Sequence, residues 1–113
     1  MKFHLKAGVS SVGIRAELVV ALMVAESVYE EFGSSGLVVT SLCGERKDHQ
    51  DGSLHFVGLA ADLRVNADLE GGLPYSSHQD LRNRLNDELG DDWDVIYEYT
   101  HIHIEFQPKR ETN

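Results

Sequence analysis

Between residues 14 and 32, Leu18, Leu22, Ala25, Tyr29 and Phe32 recur at spacings of three and four, which places them on one side of a helix. Gly33 and Gly36, with two serines between them, stop that pattern. Leu37 to Leu42 is an unbroken β-prone run and reads as a buried strand; from Cys43 to Gly52 the chain turns polar and reads as a loop. The period then changes to two. Leu59, Ala61, Leu63 and Val65 form one set, and Gly58, Ala60, Asp62 and Arg64 form the other. Asn66 to Tyr75 reads as a Gly- and Pro-containing loop. Ser77-x-x-Asp80 resembles a helix N-terminal cap, and Leu81, Leu85 and Leu89 give residues 77–89 one apolar stripe that Gly90 closes.

The last two strands carry the most specific pattern. Trp93, Val95 and Tyr97 alternate with Asp94, Ile96 and Glu98, and Ile102, Ile104 and Phe106 alternate with His101, His103 and Glu105. A two-residue turn at Tyr99-Thr100 pairs Glu98 with His101 and Ile96 with His103. This register is expected to gather the large apolar residues on one face and Glu98, His101, His103 and Glu105 on the other. A slip of one residue would mix the two sets. The expected fold is therefore α+β: one domain over residues 1–113, with a small, mainly antiparallel sheet. Helices 14–32 and 77–89 would cover its apolar face and leave the polar face for chemistry.

Composition narrows the function. The chain has 113 residues, 42% hydrophobic and 26% charged, which is ordinary for a globular domain. A net charge of −9, with basic residues scattered, argues against nucleic acid as partner, since phosphate binding needs a concentrated basic surface. Cys43 is alone, which rules out an intrachain disulfide and a cysteine-rich structural zinc site. The apolar run Leu18–Ala25 is flanked by Glu17 and Glu26 and is too short for a membrane span. No secretory signal is visible, so the expectation is synthesis in the cytoplasm with no membrane partner. Asp91, Asp92 and Asp94 lack the ligand alternation of a calcium loop and read as a solvated turn.

Four of the six histidines fall in or beside two short motifs. His55 and Asp62, separated by six residues, together with the distant His101-x-His103 pair, make the ligand inventory of a zinc site with three protein ligands and one open position. An open position is what distinguishes a catalytic zinc from a structural one. His55, Asp62 and His103 are the expected Zn2+ ligands. Glu98, on the same face, is placed as general base, and His101, between base and ligand, is suited to polarising a carbonyl or holding an oxyanion.

Ser53-x-His55-x-x-Gly58-x-Ala60-x-Asp62 followed by Glu98-x-x-His101-x-His103 resembles the zinc metallopeptidase superfamily of D-Ala-D-Ala carboxypeptidases, phage peptidoglycan endopeptidases, lysostaphin-type enzymes and the hedgehog signalling domain. The resemblance runs from about Thr40 to Pro108 and is nearest to small phage-type peptidases. It implies zinc on His55, Asp62 and His103, with Glu98 as base and His101 in the active site. Ser53 and His49 would be substrate-side residues. In the carboxypeptidase branch the base lies three residues before the ligand, a spacing Glu98 meets only with His101, so His101 is the alternative third ligand. The implied activity is hydrolysis of a peptide bond in peptidoglycan stem peptides, of carboxypeptidase or endopeptidase type. A phage-encoded protein released on lysis or carried in a virion would need no signal. The alternatives from other classes are a non-catalytic zinc-binding virion or binding module on the same scaffold and a metal-dependent nuclease, which the acidic charge disfavours. The oligomeric state is not readable.

Overall fold

The computed structural model describes residues 3–9, 15–42 and 59–108. Along the chain run β1 (Phe3–Leu5), α1 (Ala16–Glu31), β2 (Leu37–Leu42), β3 (Ala60–Arg64), α2 (Tyr75–Leu89), β4 (Trp93–Tyr97) and β5 (His101–Phe106). The five strands form one sheet in the order β1-β2-β3-β5-β4. Only the β1–β2 pair is parallel; the other three pairs are antiparallel. The fold is thus α+β with a mostly antiparallel open sheet. β1 was not expected from the pattern, because three residues offer too little alternation to register as a strand.

Helix α1 contains neither glycine nor proline, and Leu18, Leu22, Ala25 and Tyr29 on its inner side are fully buried. It closes at Gly33, whose φ of 89° is favourable only without a side chain. There the amides of Gly33 and Ser34 donate to the carbonyls of Glu30 and Tyr29 at 3.0 and 3.1 Å, satisfying the last turn in a Schellman arrangement. Helix α2 begins earlier than the Ser77 pattern suggests. Pro74, extended at φ −58° and ψ 146°, is the residue before the first turn, and Ser77 lies inside that turn with its amide on the Pro74 carbonyl at 2.8 Å. Proline's fixed φ is already compatible with helix entry, so the hydroxyl cap is not needed.

Both helices pack on the face built by Leu37, Val39, Ala61, Leu63, Val65, Val95, Ile102 and Ile104, all of them buried. Contacts between α1, α2 and the strands close this core, and Arg84 of α2 bridges to Glu31 of α1 at 3.1 Å. The Tyr29 hydroxyl donates to the Arg64 carbonyl at 2.9 Å, tying α1 to the end of β3; its burial raises the cost of ionisation and pushes its pKa up. Arg82 donates through Nε to the Val95 carbonyl at 3.0 Å, occupying one acceptor on the edge strand β4.

The Asn66–Gly72 segment returns sharply to the sheet. A Cβ at Gly72 would sit 1.6 Å from the Asn66 carbonyl oxygen, so this position accepts no side chain without moving backbone. The Leu73 amide then donates to the Val65 carbonyl at 3.2 Å. Next to Leu73, the ring of His78 is nearly fully buried, held by the Leu73 carbonyl at 2.7 Å and the Tyr97 hydroxyl at 2.8 Å.

The β4–β5 hairpin turns at Tyr99-Thr100 with the expected pairing. Ile96 is opposite His103, and the Glu98 amide donates to the His101 carbonyl at 2.8 Å. Tyr99 takes a φ of 65°, an unfavourable region for a residue with a Cβ. Its ring lies 5.2 Å from that of Tyr75 at the start of α2, a contact that offsets part of the turn strain. One part of the two-face expectation is corrected: Ile96 shares the polar face with His103 and is 46% exposed. Directly opposed residues in an antiparallel pair point to the same side, so its apolar character does not decide its direction.

Candidate functional site

The sheet face turned away from the helices carries a row of ionisable side chains. The β3–β5 register sets Asp62 opposite His103, Arg64 opposite His101 and Ala60 opposite Glu105. Because side chains alternate along each strand, Asp62, His101, His103 and Glu105 project together, and β4 adds Asp94 and Ile96 beside them. Residues 41 positions apart in the chain thereby meet: His103 Nδ1 is 2.7 Å from Asp62 Oδ1.

On its other side, His103 Nε2 is 3.0 Å from Glu105 Oε1. A carboxylate only accepts, so both ring nitrogens carry protons in this arrangement and the ring is an imidazolium. Its pKa is pushed up to about 9, chiefly by the hydrogen bond to Asp62; burial opposes this, and the Glu105 bond adds to the rise. Glu105 is itself held, since Gln107 Nε2 donates to its second oxygen at 2.6 Å. Gln107 is anchored by its amide on the Asp92 carbonyl, also at 2.6 Å.

His101 occupies a different position. Its Nε2 is 2.9 Å from Glu98 Oε1 and 3.8 Å from Asp62 Oδ1, and its Nδ1 is 3.0 Å from the Thr100 hydroxyl. A neutral ring satisfies these partners with Nε2–H donating to Glu98 and the Thr100 hydroxyl donating to Nδ1. Glu98 is the most open member, 51% exposed, against 24–28% for Asp62, His101, His103 and Glu105. The site is thus a half-covered row with an accessible carboxylate at the hairpin end and a more enclosed His–carboxylate pair behind it.

Of the residues expected from the sequence, Asp62, Glu98, His101 and His103 come together on this face. His55, the remaining expected zinc ligand, and His49 and Ser53, the expected substrate-side residues, lie outside the described residues. Among the described residues, no group of three or more His, Cys, Asp or Glu side chains is arranged to hold a metal ion. The donor set still suits zinc in kind: Asp62 Oδ1 and His103 Nδ1 face one another at a single point, one oxygen and one imidazole nitrogen. Two such donors with a third from outside the described residues would complete a three-ligand site.

The support that Glu105 and Gln107 give His103 was not anticipated in detail. The signal was available, because His101, His103, Glu105 and Gln107 occur at alternate positions in and just beyond β5. A cleft of about 560 Å³ lies between α2 and β4, lined by residues including Arg82, Trp93, Asp94 and Ile96. It adjoins the polar row through Asp94 and Ile96 and does not contain Asp62 or His103. The polar row is the better candidate for chemistry, because it brings two histidines and three carboxylates within hydrogen-bond reach of one another, whereas no histidine lines the cleft.

Among the described residues, no helix is long and apolar enough to cross a membrane. No protein-family model matches the chain, and neither a curated protein nor a solved structure matches it.

Proposed function

We propose that the chain is a zinc-dependent peptidase that hydrolyses a peptide bond in peptidoglycan stem peptides. The observation carrying this reading is the 2.7 Å approach of Asp62 and His103 across β3 and β5, with Glu98 and His101 in the same row. The sequence likeness of these positions to the D-Ala-D-Ala carboxypeptidase and lysostaphin group supports the substrate class.

Asp62 and His103, with His55, would hold the ion, which when bound would supply Lewis-acid polarisation and an activated water. Glu98, the exposed carboxylate, would take a proton from the attacking water and deliver it to the leaving amine. The Nε2–H of His101, which donates to Glu98, would turn its hydrogen bond to a developing oxyanion once that carboxylate is protonated. Thr100 would keep the His101 ring in the tautomer that this needs, by donating to Nδ1.

The test is metal analysis of the purified chain combined with mass spectrometry of muropeptides after incubation with zinc. The expected outcome is bound zinc and cleavage of a stem-peptide bond. Glu98→Gln should keep the zinc and lower turnover by roughly 10²- to 10⁴-fold, the usual share of a general base. Zinc bound by a wild-type chain with no detectable turnover would refute the peptidase reading and favour a non-catalytic zinc-binding module.

A further inference from the structure

We propose that Glu105, braced by Gln107, is a positioning residue for the metal ligand His103: it accepts the proton on Nε2 and thereby presents Nδ1 to the cation beside Asp62. This inference rests on the zinc-site reading above and adds a residue that the ligand inventory does not include.

Three observations carry it. First, the His103 ring is held at both nitrogens, with Asp62 2.7 Å from Nδ1 and Glu105 3.0 Å from Nε2, so its plane and its two edges are both defined. Second, Glu105 is only 26% exposed and does not depend on His103 alone for its orientation. Its second oxygen is taken by Gln107, and Gln107 is pinned by its backbone to Asp92 where β4 begins. Third, the two histidines are not equivalent. Glu98 holds the Nε2 of His101, but the opposite nitrogen, Nδ1, is taken by the Thr100 hydroxyl, whereas in His103 the nitrogen opposite Glu105 faces Asp62.

The chemistry follows from what a divalent cation needs. A ligating imidazole must offer a lone pair at one nitrogen and retain its proton at the other. A carboxylate accepting that retained proton fixes the tautomer and raises the basicity of the ligating nitrogen. Glu105 stands at the nitrogen remote from Asp62, where this role requires an acceptor.

The experiment is zinc competition against a chromophoric chelator, using the full chain and its Glu105→Ala and Glu105→Gln variants, with long-range ¹H–¹⁵N spectra of the histidine rings. Glu105→Ala should weaken zinc binding by roughly 10- to 100-fold, the range found when such outer partners are removed. Glu105→Gln, which keeps a carbonyl acceptor, should recover most of that loss. In the zinc-loaded wild type, His103 should show a proton on Nε2 and the metal-shifted resonance on Nδ1, a readout that needs no variant to fold. Tight zinc binding that is unchanged in Glu105→Ala, or a metal-shifted Nε2, overturns this inference and leaves the zinc site intact. A wild-type chain that binds no zinc overturns both.

Discussion

Removing the Asp62 charge from the zinc-free chain should change how its stability depends on pH, and the structure sets the sign and the size. His103 sits between two carboxylates, and its pKa is raised from 6.5 to about 9 with the Asp62 hydrogen bond as the largest cause. A folded-state pKa above the unfolded value means that the folded chain holds the proton more tightly. The contribution is therefore complete below about pH 6.5 and is lost as pH rises through about 9. Taken whole, the rise corresponds to a ceiling of roughly 3 kcal/mol. The side chains of His103 and Asp62 are 24% and 25% exposed, so solvent screening reduces the share expected from this pair to about 1–2 kcal/mol. Urea unfolding of wild type and Asp62→Asn in the presence of a chelator, at pH 6, 7.5 and 9.5, isolates the effect because other titrating groups are common to both. The stability gap between the two proteins should be largest at pH 6 and shrink by about 1–2 kcal/mol at pH 9.5. Parallel pH profiles would refute the view that His103 is held as an imidazolium by Asp62.

The same proton gives a signature for metal loading. Because the zinc-free His103 is protonated at neutral pH, zinc binding at pH 7 should release close to one proton from it. Calorimetry in buffers of different ionisation enthalpy measures that number, and a release near zero would exclude His103 as a ligand. A third prediction concerns the loop that leads from β3 to α2. Gly72→Ala would place a Cβ 1.6 Å from the Asn66 carbonyl oxygen, and should destabilise the fold by more than about 2 kcal/mol in chemical denaturation. A loss below about 0.5 kcal/mol, the usual size of a surface substitution, would show that the segment has another conformation open to it.

Much of the fold was legible because the chain alternates cleanly where it forms strands. Leu59, Ala61, Leu63 and Val65 repeat at every second position, and all four are buried; Asp62 falls between them and projects to the other face. The hairpin register was readable for the same reason: a two-residue turn puts Ile102 and Ile104 on the side of Val95, and a slip of one residue would not. What escaped the pattern was decided by tertiary contact. Phe3–Leu5 is a strand because Leu37–Val39 offers it a parallel neighbour. Ile96 looks like a core residue by type, yet the register of His103 fixes its direction. The start of α2 was misplaced because Ser77-x-x-Asp80 has the spacing of a cap, while the backbone of Pro74 already makes the entry.

On the proposed zinc reading, the choice between His101 and His103 as third ligand shows where spacing ends and geometry begins. By spacing alone, Glu98 lies three residues before His101, which would make His101 the ligand and leave His103 a bystander. On the sheet the distances favour His103, the ligand expected first, over His101, the alternative. His101 is 3.8 Å from Asp62 and has its Nε2 engaged by Glu98, whereas His103 meets Asp62 at 2.7 Å and has Glu105 behind it. A ligand must share a point with the other ligands, and a base must stand near the water without being consumed in coordination. Glu98 is the most open carboxylate of the row, and it meets His101 at the same Nε2 that lies 3.8 Å from Asp62; on the proposed zinc reading, Glu98 would be the proton-handling end and Asp62 with His103 the ion-holding end. Alternation along β5 is what would make such a division possible, because it puts two histidines on one face about two residues' length apart, close enough to reach one substrate and far enough to take different roles.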